Sequence, residues 1–133
     1  MDAASFAKVL ADRFQAVVPA GFHVRADRAM LWFEQDKGVG FCGGSAGSHA
    51  VESFFSTTVE EPLEDRATQA AWFALNDLQD YVDEEATEPW PGQRTPPPAH
   101  AAVRAGKLHM WFGDEGKADL ILGPIDLSPD LQV

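Results

Sequence analysis

Two segments of the chain align without a gap, and this internal repeat limits the folds that the chain can form. The segments are VRADRAMLWF at 24–33 and VRAGKLHMWF at 103–112, which share Val, Arg, Ala, Trp and Phe at five of ten positions. Each segment predicts a β-hairpin that follows a helix. Hairpins of similar composition can align by chance, but two Trp-Phe pairs in register favour a duplicated unit of one helix and three strands.

The spacing of apolar residues predicts the elements of each unit. Residues 3–18 carry an apolar stripe at three- and four-residue spacing, which is typical of an amphipathic helix. A second stripe begins after Pro62 and predicts a helix that runs to about Ala86. The predicted strands are Phe22–Ala26, Ala29–Glu34, His49–Val59, His100–Ala105, Leu108–Phe112 and Ala118–Leu122. Residues 35–48 are predicted as a glycine-rich loop with room for a short strand at 39–42.

Length and composition favour one α+β domain over residues 1–133. The chain has 133 residues, and 45% of them are hydrophobic, as in an ordinary globular protein. We expect a single antiparallel sheet of five or six strands with two helices on one face, because each helix would cover its own strands. One cysteine and the absence of a basic, apolar leader favour a cytoplasmic protein without disulfides.

The negative charge is concentrated in one element. Residues 60–88 hold ten acidic residues and one arginine, which is −9 of the net charge of −11. This charge argues against nucleic acid and anionic membranes as partners. The acids of the second helix form either a solvated face or a recognition surface for a basic protein partner, and in the second case Asp80, Asp83 and Glu84 are candidate binding residues.

Aromatic residues fall at positions where a simple core does not need them. Trp72 lies opposite the apolar arc of the second helix, and Phe73 is also off it. Strand alternation places Trp32 and Trp111 on the face of the sheet away from the helices, together with one of Phe54 and Phe55. This face is either covered by loops or exposed as a patch for homodimerisation or partner binding.

Residues 87–99 contain five prolines and predict an extended connector. A second helix of about 25 residues is about 37 Å long. The connector can span about 40 Å in polyproline II form, so it can run back along the helix and start the next strand near the beginning of that helix. That path would lay Trp90 over Trp72 or Phe73 and bring Arg94 near the helix acids. The alternative is a floppy surface loop, in which Trp90 would be a further exposed residue for a partner.

Motifs for metal, cofactor or nucleophilic chemistry are not found in the sequence. The four histidines lack metal-ligand spacing, and the glycine-rich loop lacks the pattern and following helix of a phosphate site. We therefore expect no metal, no cofactor and no catalytic residues, which favours a protein without enzymatic activity. An alternative is an enzyme or small-ligand binder whose pocket lies near loop 38–49, lined by Cys42, His49 and a carboxylate.

Two resemblances add to these expectations. The segment LQDYVDEEAT at 78–87, followed by PWPG at 89–92 and RTPP at 94–97, resembles a family of small uncharacterised actinobacterial proteins. This family has no assigned activity, so the resemblance implies no catalytic residues. The element order α-β-β-β-α-β-β resembles the α+β fold of type III secretion chaperones and their cytoplasmic relatives. Together the observations predict a non-enzymatic interaction module of chaperone, adaptor or immunity type.

Overall fold

The computed structural model describes residues 2–36, 46–51, 62–86, 90–91 and 96–127 of the chain. The described residues form two α-helices and seven β-strands. In chain order these are α1 (Ala3–Gln15), β1 (Phe22–Asp27), β2 (Met30–Gln35), β3 (Ala46–Ala50), α2 (Leu63–Ala86), β4 (Ala99–Arg104), β5 (Lys107–Asp114), β6 (Lys117–Ile121) and β7 (Ile125–Asp126). The α+β class predicted from the sequence is confirmed. A helix followed by three strands occurs twice, and β7 is the additional element.

Helix α1 forms on the predicted apolar stripe and covers the first strands. Asp2 caps its first turn, because a side-chain oxygen accepts a hydrogen bond from the backbone N–H of Ser5 at 2.7 Å. This bond lowers the pKa of the Asp2 carboxyl. The helix ends at Gln15, three residues earlier than predicted, before Pro19. Its buried residues are Phe6, Ala7, Leu10, Ala11 and Phe14.

The first sheet has the order β1-β2-β3 and is antiparallel throughout. Leu31 and Phe33 of β2 are buried on the helix side, and Trp32 between them faces the other side, as the alternation predicts. The prediction of a loop to residue 48 and a strand from His49 is wrong for residues 46–48. These residues belong to β3 because they pair with Trp32, Phe33 and Glu34 of β2.

The second sheet has β5 at its centre, with β4 on one side and β6 and β7 along the other. Strands β6 and β7 are two parts of one edge, separated at Leu122, Gly123 and Pro124. A proline has no backbone N–H to donate to the ladder, so the pairing is interrupted there. The register also shifts between Phe112 and Gly113, where the positive φ of 101° suits glycine.

The prediction of one sheet with five or six strands is wrong. The described strands form two sheets, of three and four strands. Helix α2 packs against β2 and β3 of the first sheet and against β4 and β5 of the second. Because one helix covers the inner faces of both sheets, the two halves share a core without pairing edge to edge. One cluster of buried residues includes Phe14, Phe33, Leu78 and Phe112.

The two hairpins are repeated with a shifted turn. The turn between β1 and β2 consists of Arg28 and Ala29, and the turn between β4 and β5 consists of Ala105 and Gly106. Arg28 and Ala105 both open their turns with a positive φ, 58° and 54°. In the alignment of the two repeated segments, Arg28 and Ala29 correspond to residues 107–108, so the second turn comes two residues earlier than the alignment implies. Because a shift of two preserves the strand alternation, Leu31 and Met110 still face the helices, and Trp32 and Trp111 face away.

The connector runs back along α2, as predicted, in the residues that the structure describes. The backbone N–H of Trp90 donates to Asp83, and the Gln79 side chain donates to the carbonyl oxygens of Trp90 and Pro97 at 3.2 and 2.6 Å. Further along, the Trp72 indole N–H donates to the carbonyl of Ala99. Successive connector residues thus meet successively earlier turns of α2.

Two details of the connector differ from the prediction. The ring of Trp90 packs edge-on against Phe112 at 5.4 Å, so it contacts the core of the second sheet instead of Trp72 or Phe73. Strand β4 begins beside the middle of α2 and not beside its start, because Ala99 meets Trp72. Arg94 lies outside the described residues.

Neither helix described by the structure could cross a membrane, since neither combines sufficient length with apolar composition. Most positions of the predicted apolar arc of α2 are buried, but Leu63 is only partly buried, and Leu75 and Gln79 are buried although they lie outside that arc. The buried residues of α2 are Ala67, Ala70, Ala71, Ala74, Leu75, Leu78, Gln79, Tyr81 and Val82.

Candidate interaction surface on helix α2

Two neighbouring aromatic residues of α2 are exposed in the middle of the helix. Trp72 is 43% exposed and Phe73 is 39% exposed. Their rings are in edge-to-face contact, with centroids 5.0 Å apart. We call Trp72 and Phe73 the aromatic pair. Among the described residues, Ile121 of β6 is the other large exposed hydrophobic residue.

Hydrogen bonds hold Trp72 of the aromatic pair in place. The indole N–H of Trp72 donates to the carbonyl oxygen of Ala99 at 3.0 Å, which fixes the ring against the start of β4. One turn later, the Asn76 side chain donates to the carbonyl oxygen of Trp72 at 2.8 Å. A ring fixed in this way loses little conformational freedom when a partner covers it.

The charge on α2 is divided into two groups by the aromatic pair. Residues 67–76 contain no charged side chain, whereas Glu64 and Asp65 precede this segment and Asp77, Asp80 and Glu84 follow it. These five acidic residues are exposed. The aromatic pair therefore lies in an uncharged band with acidic residues on both sides along the helix.

An acidic cleft opens beside the second half of α2. It has a volume of about 310 Å³ between this helix and strands β2 and β3. Tyr81 lies at its base, where the ring packs against Phe22 and Phe33 at centroid distances of 6.1 and 5.9 Å. The cleft is lined by Phe33, Gly47, Ser48, Asp77, Asp80, Tyr81, Glu84 and Glu85.

Gly47 makes room for the base of this cleft. A Cβ atom at position 47 would lie 2.9 Å from a ring carbon of Tyr81 and 3.3 Å from one of Phe33. The first distance is shorter than carbon atoms tolerate without movement. The glycine-rich character of this part of the sequence thus has a packing role at residue 47.

A histidine and a carboxylate pair across the edge of the cleft. The Nδ1 atom of His49 lies 2.5 Å from an Oδ atom of Asp77. His49 is only 6% exposed, because it pairs with Leu31 on the inner side of the first sheet. In the alternative predicted from the sequence, His49 lines a pocket with Cys42 and an unnamed carboxylate, but the sequence did not indicate Asp77, which lies 28 positions from His49. The alternation of side chains along β3 predicts the face on which His49 lies only if the pairing of β3 with β2 is known. Cys42 lies outside the described residues.

Asp83 differs from the neighbouring acids that the sequence grouped with it. Its carboxylate accepts the backbone N–H of Trp90 at 2.5 Å and is partly buried. Burial raises the pKa of the Asp83 carboxyl, the Trp90 hydrogen bond opposes this, and the nearby charge of Asp80 adds to it. Asp83 therefore holds the connector, whereas Asp80 and Glu84 remain exposed to a partner.

The sheet tryptophans are half-buried instead of fully exposed. The guanidinium group of Arg25 lies 5.5 Å from the ring centre of Trp32, and that of Arg104 lies 5.6 Å from the ring centre of Trp111. Each arginine also pairs with a carboxylate, Arg25 with Glu34 and Arg104 with Glu115. His100 stacks on Trp111 with centroids 5.3 Å apart. Both tryptophans thus have a basic side chain over part of their surface.

The remaining predicted residues are not on one surface. Trp90 contributes to the core through Phe112, and Phe54 lies outside the described residues. The described part of the chain contains no group of three or more histidine, cysteine, aspartate or glutamate side chains that could hold a metal ion. Of the predicted binding residues, Trp72, Asp80 and Glu84 are exposed on α2.

Comparisons with protein-family models, with curated proteins and with solved structures give no match for this chain. The resemblance to small actinobacterial proteins and to type III secretion chaperones therefore stays a prediction.

Proposed function

We propose that the protein is a non-enzymatic, cytoplasmic protein-interaction module of chaperone, adaptor or immunity type. Its binding surface is the exposed face of α2, formed by Trp72, Phe73, Asp77, Asp80 and Glu84. The single observation that carries this proposal is the fixed but exposed aromatic pair. Tryptophan and other large aromatic residues contribute most to binding energy where they are rigid and central in an interface.

The acidic residues support a protein partner with positive charge. Acids before and after the aromatic pair would attract basic residues of the partner and speed the encounter. Binding through this face should weaken as salt rises, because the Debye length falls from about 30 Å at 0.01 M to about 8 Å at physiological ionic strength. An anionic membrane or a nucleic acid would be repelled by the same charges.

Site-specific photo-crosslinking in cells that naturally contain the protein tests this proposal. A photoreactive amino acid replaces Gln69, which is exposed one turn before the aromatic pair, and in a control it replaces Lys117 of β6. We expect a discrete crosslinked protein from position 69 and not from position 117. The product should disappear in a variant with both Trp72→Ala and Phe73→Ala. Equal products from both positions, or a product that persists in the double variant, would contradict the proposal.

A small-ligand binder or enzyme is the second candidate function. The observation that favours it is the short contact between His49 and Asp77 beside the acidic cleft, where Gly47 and Ser48 of the predicted loop region also lie. A thermal-shift screen of small cationic compounds tests this candidate. A ligand-dependent rise in melting temperature that Asp77→Asn abolishes, and that Asp12→Asn on α1 preserves, would support it. No rise with any compound would leave the interaction module as the function.

A further inference from the structure

We infer that the partner presents a basic amphipathic helix to α2, with an apolar side chain on the aromatic pair and an arginine or lysine in the acidic cleft. This inference rests on the proposed function and adds the chemistry of the partner. Three features carry it: the position of the cleft along α2, the distribution of its charges, and the kind of surface that a helix offers.

Phe73 of the aromatic pair and two carboxylates of the cleft, Asp80 and Glu84, lie on the same side of α2 at a defined separation. From Phe73 to Asp80 is seven residues, and from Phe73 to Glu84 is eleven. With a rise of 1.5 Å per residue, the two carboxylates lie about 10 to 17 Å further along the helix axis. A partner that covers both features must carry its apolar and basic side chains at a matching distance.

The surroundings of the cleft suit the side chain of arginine or lysine. The nearly buried Tyr81 ring lies beneath the position of the methylene stem, and Asp80 and Glu84 offer carboxylates to the charged group. Among the described residues that line the cleft, four are acidic and none is a lysine, arginine or histidine. Charge complementarity therefore selects a basic occupant.

The surface of a helix favours a helical partner over an extended one. The backbone groups in the middle of α2 are bonded within the helix, so α2 offers side chains and no free edge. An extended peptide would find no backbone partners on α2 itself, whereas a helix satisfies its own backbone hydrogen bonds. A basic residue seven or eleven positions from the apolar residue then lies on nearly the same face of the partner helix.

A second copy of this chain does not meet these requirements through α2. The exposed face of α2 carries Asp77, Asp80 and Glu84, so two such faces would repel each other. The exposed aromatic pair and its acidic neighbours therefore indicate a different chain as the occupant.

Synthetic helical peptides of 18 residues test the inference. The matched peptide carries a leucine near one end with arginines seven and eleven positions further along, and the displaced peptide has the same composition with both arginines moved to the opposite face. Binding is measured by calorimetry and by the indole N–H signal of Trp72 in NMR spectra, assigned with Trp72→Phe. We expect the matched peptide to bind at least tenfold more tightly and to shift this signal.

Two double variants test whether the acids of the cleft cause the preference for the matched peptide over the displaced peptide. Asp80→Asn with Glu84→Gln should remove it, whereas Asp12→Asn with Asp27→Asn should keep it. The second pair changes the net charge equally at exposed acids outside α2. Equal affinity for the two peptides, no binding of either, or a preference that survives Asp80→Asn with Glu84→Gln would overturn the inference. A crosslink from position 69 in that case would leave the proposed function standing and refute only the partner chemistry.

Discussion

At the scale of single residues, acids that are close in sequence have different roles. Asp77 pairs with His49, Asp80 is exposed, and Asp83 accepts the backbone N–H of Trp90. Helical periodicity predicts which side of α2 each residue occupies. The partner of Asp77 lies on β3, and the partner of Asp83 lies in the connector. The periodicity of α2 does not predict where β3 and the connector pack against the helix. The sequence therefore predicted the charge of this face and not its division into structural and exposed acids.

Replacing Asp83 separates the effect of its charge from the effect of its hydrogen bond. Burial raises the pKa of the folded-state carboxyl above its unfolded-state value. Its contribution to stability is therefore fully present below the unfolded-state pKa and is lost as pH rises through the folded-state pKa. Asp83→Asn keeps an acceptor oxygen, so we expect it to stabilise the protein at pH 7 and to have no effect in acid.

The hydrogen-bond contribution is measured with Asp83→Ala, which leaves the N–H of Trp90 without this acceptor. We expect a loss of about 1 to 2 kcal/mol, typical of a hydrogen bond whose remaining partner is partly buried. Urea unfolding from pH 3 to pH 7 measures both variants. A pH-independent difference between the Asn variant and the unmodified protein would show that the charge of Asp83 has no role in stability.

Gly47 is a second residue with a specific role. The Cβ atom of Gly47→Ala would approach Tyr81 to 2.9 Å and force the ring or β3 to move. We expect a loss of about 1 to 3 kcal/mol in the free energy of unfolding, the range for overpacking a core. Gly116→Ala is a matched control with a free space around its Cβ, although its positive φ of 88° adds backbone strain. A stability of Gly47→Ala equal to that of the unmodified protein would contradict the packing role.

At the scale of elements, the local sequence pattern was sufficient to predict the two helices and the buried face of most strands. Apolar periodicity gave α2 its end at Ala86, and strand alternation placed Leu31, Phe33, Met110 and Phe112 on the buried side. The start of β3 at Ala46 was missed, because Ala-Gly-Ser has no strand propensity of its own and is ordered by pairing with β2.

The connector provides the clearest test at this scale. Trp90 packs on Phe112 and is tied to α2 through Asp83 and Gln79. We expect Trp90→Ala to lower the free energy of unfolding by about 3 kcal/mol, the lower limit for truncating a core aromatic side chain, because Trp90 is partly buried. Trp72→Ala, at an exposed site, should cost about 1 kcal/mol through its lost hydrogen bond. Equal losses in urea unfolding of the two variants would refute the structural difference between these tryptophans.

At the scale of the whole molecule, the sequence predicted the class and the repeated element order but not the number of sheets. Edge-to-edge pairing of the halves depends on contacts between residues far apart in the chain, which local patterns do not determine. The same holds for the candidate surface. Exposure of the aromatic pair followed from helical position, whereas the acidic cleft depends on β2 and β3 packing against α2.

A homodimer through the outer sheet faces is a separate prediction from binding at α2. If Trp32 and Trp111 mediate it, light scattering should detect a dimer at high protein concentration. Trp32→Ser with Trp111→Ser should then give monomers, whereas Trp72→Ala with Phe73→Ala should leave the dimer intact. The reason is that burial of apolar surface is the main driving force of such contacts. A monomer at every concentration of the unmodified protein would rule out this dimer.

The contact between α1 and the end of the second sheet also bears on how the chain folds with time. The guanidinium group of Arg13 donates to the carbonyl oxygen of Pro124 at 3.1 and 3.3 Å, across 111 positions of the chain. Contacts at such separation slow folding, because a long loop must close before they can form. During synthesis, α1 and its strands leave the ribosome well before Pro124 does. The bond between Arg13 and Pro124 therefore forms only after nearly the whole chain has been made, whereas α2, which packs against β2 and β3, leaves the ribosome much earlier.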